Sequence, residues 1–308
     1  MYIWIIINTW ENLNISVLFV LARLISGTVF HVPGVYLMVS LMEAYETVQE
    51  QQYFPTSNEY KTISIVIPAY NEERRIGKTI QELSENIPNI KEILVVFDGN
   101  DSTPFVALES STKVRIVQYH TRLGQGGAVL EGFKYASGDV VCFIDADGSA
   151  PWYEVKRICS LISDNNPAVY GSRWTNGAKI GKKEPLRNII GGRVYHYLAF
   201  AILGVPVKDS FCGLKAFDRE TAQKLTDKVT INDRTFNIAI SYNLKLINIQ
   251  PLEIGIEWSH SDGTQLPVGI KVILLMFMTL IGLRIAHSPK LNKLNKFVLK
   301  FRKKINFY

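Results

Sequence analysis

Cysteine is scarce in this chain, and its scarcity excludes two architectures. The three cysteines, Cys142, Cys159 and Cys212, stand far apart and form no C-x-x-C pair. A disulfide framework and a structural zinc site are therefore not expected, and the thiols read as free, buried groups in a reducing compartment. No G-x-x-x-x-G-K-[ST] run exists, which removes a P-loop nucleotidase. No zinc-finger or RNP-type signature accompanies the basic residues, so nucleic acid is not an expected partner. Gly124 and Gly126 begin a G-x-G turn, but Val129 stands where a dinucleotide-binding turn has its third glycine. That leaves a dinucleotide-dependent oxidoreductase as the weakest reading. Internal repeats and low-complexity stretches are also missing.

Charge is unevenly spread. The chain has 308 residues, 47% hydrophobic and 20% charged, values of a globular protein with room for a sizeable core. Much of its formal net charge of +6 sits at the end, in Lys290, Lys293, Lys296, Lys300, Arg302, Lys303 and Lys304. Such a tail suits a bilayer with anionic lipids. Just before it, the run 272–283 is uninterruptedly apolar between Lys271 and Arg284. It is short for a span of about 20 residues, and predicts an in-plane membrane helix, with a buried core helix as the other reading. At the opposite end, 24–42 carries no formal charge and is about long enough to cross a bilayer, with His31, Pro33 and Gly34 predicting a kink or a re-entrant turn. No secretory leader is expected. Three parts follow: 1–60, a hydrophobic membrane-associated segment and linker; 61–265, a globular domain; and 266–308, an apolar helix and basic tail.

Within 61–265, strands alternate with helices. Apolar runs at 63–67, 93–97, 114–119 and 140–144 read as buried strands, and Ile76, Ile80, Leu83 and Ile87 recur at helical spacing after Asn71, which reads as a cap. Alternation of this kind predicts an α/β fold with a mostly parallel sheet flanked by helices. Beyond Pro151 the pattern is mixed, with strands expected at 168–170, 211–217 and 249–258 and a helix at 234–246.

In such a sheet the carboxyl ends of the strands form the ligand rim. The strand 140–144 ends there in Asp145-Ala146-Asp147-Gly148. Two acids at i and i+2 are costly side by side unless a cation compensates them, and a hard divalent ion that also takes phosphate oxygens does so well. The other rim residues are Pro68-Ala69-Tyr70-Asn71-Glu72, Asp98-Gly99, Gly124 to Gly127, and Arg173. Acids, an aromatic to stack on, glycines for close backbone approach and an arginine together describe a nucleoside-diphosphate pocket.

These residues resemble a known family. ISIVIPAYN at 63–71, Asp98-Gly99, RLGQGGA at 122–128 and DADG at 145–148 are similar to glycosyltransferase family 2, with its GT-A fold. Gly171-Ser172-Arg173, Arg187, DSFCGLK at 209–215 and Trp258 with Asp262-Gly263-Thr264 resemble the dolichyl-phosphate glucosyl- and mannosyltransferases of that family. The resemblance implies Mg²⁺ or Mn²⁺ held by Asp145, Asp147 and Ser149. It implies nucleotide-sugar contacts from Pro68, Tyr70, Glu72, Asp98, Gly124, Gln125, Asp145 and Ala146. Asp147, Arg173, Arg187 and Asp209 are the catalytic candidates, with the arginines on phosphates and Asp209 as a structural group, an acceptor contact or a base. The implied reaction moves a hexose from UDP-glucose or GDP-mannose to a polyprenyl (dolichyl) phosphate, on a membrane-associated protein whose catalytic domain faces the cytoplasm.

One departure bears on mechanism. Relatives carry acids in a late helix in a pattern like F-D-x-E, and this chain has Phe236-Asn237-Ile238-Ala239. A hydroxyl acceptor would need a base, whereas a lipid phosphate is already an anion. The substitutions thus favour a phosphate acceptor. A glycan or glycolipid transferase and a non-catalytic nucleotide-sugar-binding protein stay open as alternatives.

Overall fold

A computed structural model describes residues 61–182, 185–261 and 270–287. The expected membrane segment and linker at 1–60, the motif residues 262–264 and the basic tail from 288 onward lie outside the described residues.

In chain order the elements are β1 (Ile63–Ala69), α1 (Ile76–Asn86), β2 (Ile90–Phe97), α2 (Thr103–Ser110), β3 (Val114–Gln118), α3 (Gly124–Tyr135) and β4 (Val140–Ile144). Then come α4 (Trp152–Ser160), β5 (Ala168–Ser172), β6 (Lys179–Ile180), α5 (Leu186–Leu203), β7 (Leu214–Asp218) and α6 (Arg219–Lys228). The last are α7 (Phe236–Leu246), β8 (Leu252–Gly255), β9 (Glu257–Trp258) and α8 (Ile270–Ala286). Seven strands form one sheet in the order β3-β2-β1-β4-β7-β5-β8, and β6 and β9 pair separately. Only β7 runs against the rest: it is antiparallel to β4 and to β5, while β5 and β8 are again parallel. The predicted mostly parallel α/β sheet is therefore present.

β1, β2 and β4 are almost wholly buried because helices cover both faces of a parallel sheet, which is why they read as unbroken apolar runs. α1 buries Ile76, Ile80 and Leu83, its i, i+4, i+7 stripe, and each such side chain contributes roughly 1.5–3 kcal/mol.

Four expectations are corrected. Asn71 does not cap α1; it takes a left-handed backbone (φ 57°) and its Oδ1 accepts the Asn100 N–H at 3.0 Å, while the helix starts only after Arg75. β7 begins at Leu214, not 211, because 209–213 is a turn in which the Cys212 N–H bonds the Asp209 carbonyl at 3.3 Å. The 249–258 strand is two strands, β8 and β9. α6 was not expected at all: its sequence is polar, and its signal is the Asp218 side chain accepting the Thr221 N–H at 2.6 Å as an N-cap.

The apolar run 272–283 lies within α8. Thr279 and Leu280 are buried, the Tyr195 hydroxyl of α5 donates to the Met276 carbonyl at 3.1 Å, and Thr235 and Thr279 hydroxyls meet at 3.2 Å. One face of α8 thus belongs to the core, the alternative reading of that run. Among the described residues no helix is long and apolar enough to cross a membrane.

Candidate active site

The carboxyl ends of β1, β2, β4 and β5 meet at one rim. Since β7 is antiparallel, with Leu214 opposite Ile144, it is the turn entering β7, 209–213, that reaches the same rim.

On the β1–β2 side, Tyr70 is 47% exposed and the Arg122 guanidinium lies over its ring, 3.5 Å from the centroid. This stacked pair offers a flat surface on which a base can lie. Arg122 is itself paired with Asp98, whose other oxygen accepts the Leu123 and Gly124 N–H groups at 2.7 and 3.0 Å. Asp98 is therefore a carboxylate at the start of α3, where free N–H groups and the dipole favour it. It shapes the pocket by holding Arg122 against Tyr70. Glu72 is clamped by Arg75 through two hydrogen bonds of 2.8 Å; burial raises its pKa, with Arg75 opposing. Pro68 lies within β1 beside these groups. The glycines after Gly124 act differently from the expected close approach to a ligand. A Cβ at Gly126 would stand 2.5 Å from the Ile231 carbonyl and from Phe236, and the N–H groups of Gly126 and Gly127 both donate to the Asn232 carbonyl, at 2.8 and 3.2 Å. They seat α3 on the 231–236 loop.

At the end of β4, Asp145 accepts the Gln125 side-chain amide at 2.9 Å and its N–H donates to the Gly213 carbonyl at 3.1 Å. A Cβ on Gly213 would fall 1.8 Å from Asp145 Oδ2, so only glycine lets the turn back this carboxylate. Burial, with Asp147 adding to it, pushes the Asp145 carboxyl up to about 6, against Lys215, Arg234 and the Gln125 hydrogen bond. Asp147 accepts the Ser149 N–H at 3.1 Å and lies 3.8 Å from Arg75; the Ala146 carbonyl accepts the Thr79 hydroxyl at 3.0 Å. Two hard oxygen ligands that resist ionising together are the donor set a divalent cation relieves. Among the described residues no group of three or more His, Cys, Asp or Glu side chains could hold a metal. A cation here would take its remaining ligands from a bound diphosphate. Ser149 braces Asp147 through its N–H.

Arg173 and Asp209, separate candidates in the sequence, are one unit. Arg173 donates from Nε at 2.7 Å, from Nη2 at 2.8 Å and from its backbone N–H at 2.9 Å, all to a wholly buried Asp209. Despite burial, Arg173 holds the Asp209 carboxyl below its usual range. A carboxylate so saturated is no general base, which corrects the catalytic reading of Asp209. Its loop is fixed by Glu253 of β8, which accepts the Lys208 and Asp209 N–H groups at 2.7 and 2.9 Å and is pushed by burial up to about 7. Arg187 is the second residue of α5, and its side chain lies outside the described residues.

Lys215 was not a candidate, although a charge inside FCGLKAF was its signal. It is fully buried in β7, donating to the Cys212 carbonyl and to Asn237 Oδ1 at 2.7 Å, with its ammonium 5.6 and 5.1 Å from the Phe143 and Tyr170 ring centroids. Burial pushes its pKa down to about 8. This position explains Asn237. It stands in the core, accepting from Lys215 and donating to the Arg234 carbonyl at 3.2 Å. Ala239 is likewise buried.

Residues 64–226 match Glycosyl transferase family 2. The chain belongs to that family. It is 30% identical to the dolichyl-phosphate beta-glucosyltransferase of Saccharomyces cerevisiae, over 79% of this chain and 81% of the yeast protein. The enzyme of the same name from Dictyostelium discoideum is 27% identical over 70% of this chain and 74% of its own length. In fold, the chain is similar to glucosyl-3-phosphoglycerate synthase from Mycobacterium tuberculosis in complex with Mn²⁺, UDP and phosphoglyceric acid. The TM-score is 0.57 at 18% identity, over 77% of this chain and 84% of the other. The matched range 64–226 contains Asp145-Ala146-Asp147, Arg173 and Asp209.

Proposed function

We propose that this family 2 glycosyltransferase moves glucose from UDP-glucose to dolichyl phosphate with inversion. An oxygen of the acceptor phosphate attacks the anomeric carbon from the face opposite the donor diphosphate. The new C–O bond forms as the bond to the β-phosphate breaks, and UDP departs with the electron pair. Tyr70 on Arg122 supports the base. Asp145 and Asp147 would hold Mg²⁺ or Mn²⁺ against the diphosphate, a Lewis acid that stabilises charge on the leaving group. The names of the yeast and Dictyostelium relatives support the sugar and the acceptor.

The observation that supports the acceptor class is that five carboxylates of the rim already have partners or a proposed cation to hold. Asp98 holds α3 and Arg122, Glu72 holds Arg75 and Asp209 holds Arg173, while Asp145 accepts Gln125 and with Asp147 would hold the cation. None of these five is placed to take a proton from a hydroxyl, whose pKa lies far above 7, and a phosphate acceptor needs none. A lipid acceptor puts the protein at a membrane surface with its catalytic domain on the cytoplasmic side. The apolar run in α8, the basic tail and three free buried cysteines support that placement.

The test is a radiolabel transfer assay on membranes from an overexpressing host. UDP-glucose and GDP-mannose are offered separately with dolichyl phosphate, with Mn²⁺ or with EDTA, and label is counted in the organic phase. Metal-dependent label from UDP-glucose is expected. Label from GDP-mannose alone would change the sugar, and donor binding without label from either would remove the transfer reaction.

A further inference from the structure

Arg173 cannot both neutralise Asp209 and attract a second anion strongly, since its charge is already compensated at hydrogen-bond distance. A second guanidinium stands beside it. Arg193, on α5, lies 4.3 Å from the centroid of the Trp174 ring, and Arg173 lies 5.7 Å from the same centroid. Arg193 is exposed and, among the described residues, has no carboxylate within ion-pair distance. Trp174 is itself well seated. Its indole runs along α5 at Gly192, where an added Cβ would lie 3.4–3.5 Å from Cη2 and Cζ2, and it meets the His196 ring edge-on at 6.2 Å. The other side of Arg173 is bounded by Trp258, 5.2 Å away. Two guanidiniums thus share one indole, and among the described residues only Arg173 has a carboxylate as counter-charge. The exposed Arg193 is held over the indole by cation–π attraction, and its planar guanidinium can receive two phosphate oxygens at once.

We propose that Arg193, laid on Trp174, receives the phosphate of the acceptor lipid; this rests on the lipid-phosphate reading above. The turn 209–213 separates the two ends of the site. Gly213 backs Asp145, where the donor's diphosphate belongs, and Asp209 holds Arg173 beside Trp174 and Arg193. The anion at the Arg193 end is therefore a second one. A phosphate monoester suits it, since Arg193 can receive it without drawing on the Arg173–Asp209 pair.

The test uses the full chain in detergent with citronellyl phosphate, a soluble prenyl phosphate, as acceptor. KM for this acceptor and for UDP-glucose is compared in the wild type, Arg193→Gln, Arg193→Lys and Trp174→Leu. Arg193→Gln should raise the acceptor KM about tenfold or more and leave the donor KM unchanged, since a charge-assisted hydrogen bond is lost. Arg193→Lys should recover part of it, keeping charge but not the planar fork. Trp174→Leu should move the acceptor KM in the same direction by less. An equal rise in the UDP-glucose KM would place Arg193 on the donor's diphosphate. An effect confined to anionic vesicles and absent with the soluble acceptor would make it a lipid-surface contact. Either result, or no change, overturns the proposal. If the wild type transfers nothing, the function above fails by itself. Citronellyl phosphate binding, followed by tryptophan fluorescence in wild type and Arg193→Gln, still decides the site: tighter wild-type binding supports it and equal binding overturns it.

Discussion

The two halves of the sheet are built on different principles. In β1, β2 and β4 the interior is apolar: Ile65, Val66, Leu94, Val95, Val141 and Phe143 have no exposed surface. The buried charges of this half are Glu92, near the start of β2 and away from the rim, where Ser64 and Ser137 satisfy it, and Asp98 at the rim, which Arg122 and the first N–H groups of α3 satisfy. Around β7, β5 and β8 the interior holds Lys215, Asp209, Glu253 and Asn237, all next to the rim. Burying ions costs several kcal/mol each unless hydrogen bonds and partners offset it. The comparison teaches that the apolar half supplies the frame, and the polar half sets the charge that a reacting phosphate meets.

The predictions probe that division. Asp147→Asn, at the junction of the halves, should cut transfer by at least about 10²-fold with the fold intact, as removal of a charge-stabilising group does; rates and a circular dichroism spectrum on the same sample check it. Gly213→Ala should come close behind, because its Cβ would occupy the place of Asp145 Oδ2. It should weaken UDP binding measured calorimetrically in Mn²⁺, and retained affinity would show that the turn can yield. Lys215→Met removes the buried charge of the polar half together with its bonds to Cys212 and Asn237. The folded-state pKa of Lys215, about 8, lies below its unfolded value, so the folded protein binds fewer protons between the two and wild-type stability should rise with pH from about 8 to about 10.5. Urea titrations at pH 7.5 and 10 should find that rise reduced in Lys215→Met, and also in Asn237→Asp, which would give the ammonium a carboxylate. The smallest catalytic effect should come from Leu94→Ala in the frame. It should destabilise by about 2–5 kcal/mol and leave both KM values unchanged. A large KM shift there would erase the distinction between the halves.

The same division decides what could be read from the sequence. β1, β2 and β4 were legible because strands covered on both faces are unbroken apolar runs, and the Asp145–Asp147 spacing places both acids at a strand end without knowledge of tertiary contacts. The start of β7 was misread because Phe211 and Cys212 extend the apolar run into a turn. α6 left little trace in hydrophobicity, although Asp218 ahead of Arg219-Glu220-Thr221 carries a cap signal. Arg173 and Asp209 were found singly, but their pairing joins residues 36 positions apart, a relation no local period encodes. The same holds for Lys215 with Asn237 and for Trp174 with Arg193. Asn237, which as a sequence suggested a missing base, became a core contact once its partner was known.

The reversal of β7 has one more consequence. The chain leaves the rim at Ser172 and comes back to it at Leu214, and the two strands that bracket this excursion, β5 and β7, are hydrogen-bonded neighbours with Tyr170 opposite Lys215. The segment between β5 and β7 thus enters and leaves the sheet at neighbouring points, and it is also held where β6 meets β9, by Tyr195 on α8 and by Glu253 on the Lys208 and Asp209 N–H groups. If Arg193 and Trp174 receive the acceptor as proposed, exchanging 173–213 between family members should alter acceptor choice while the frame keeps its threading.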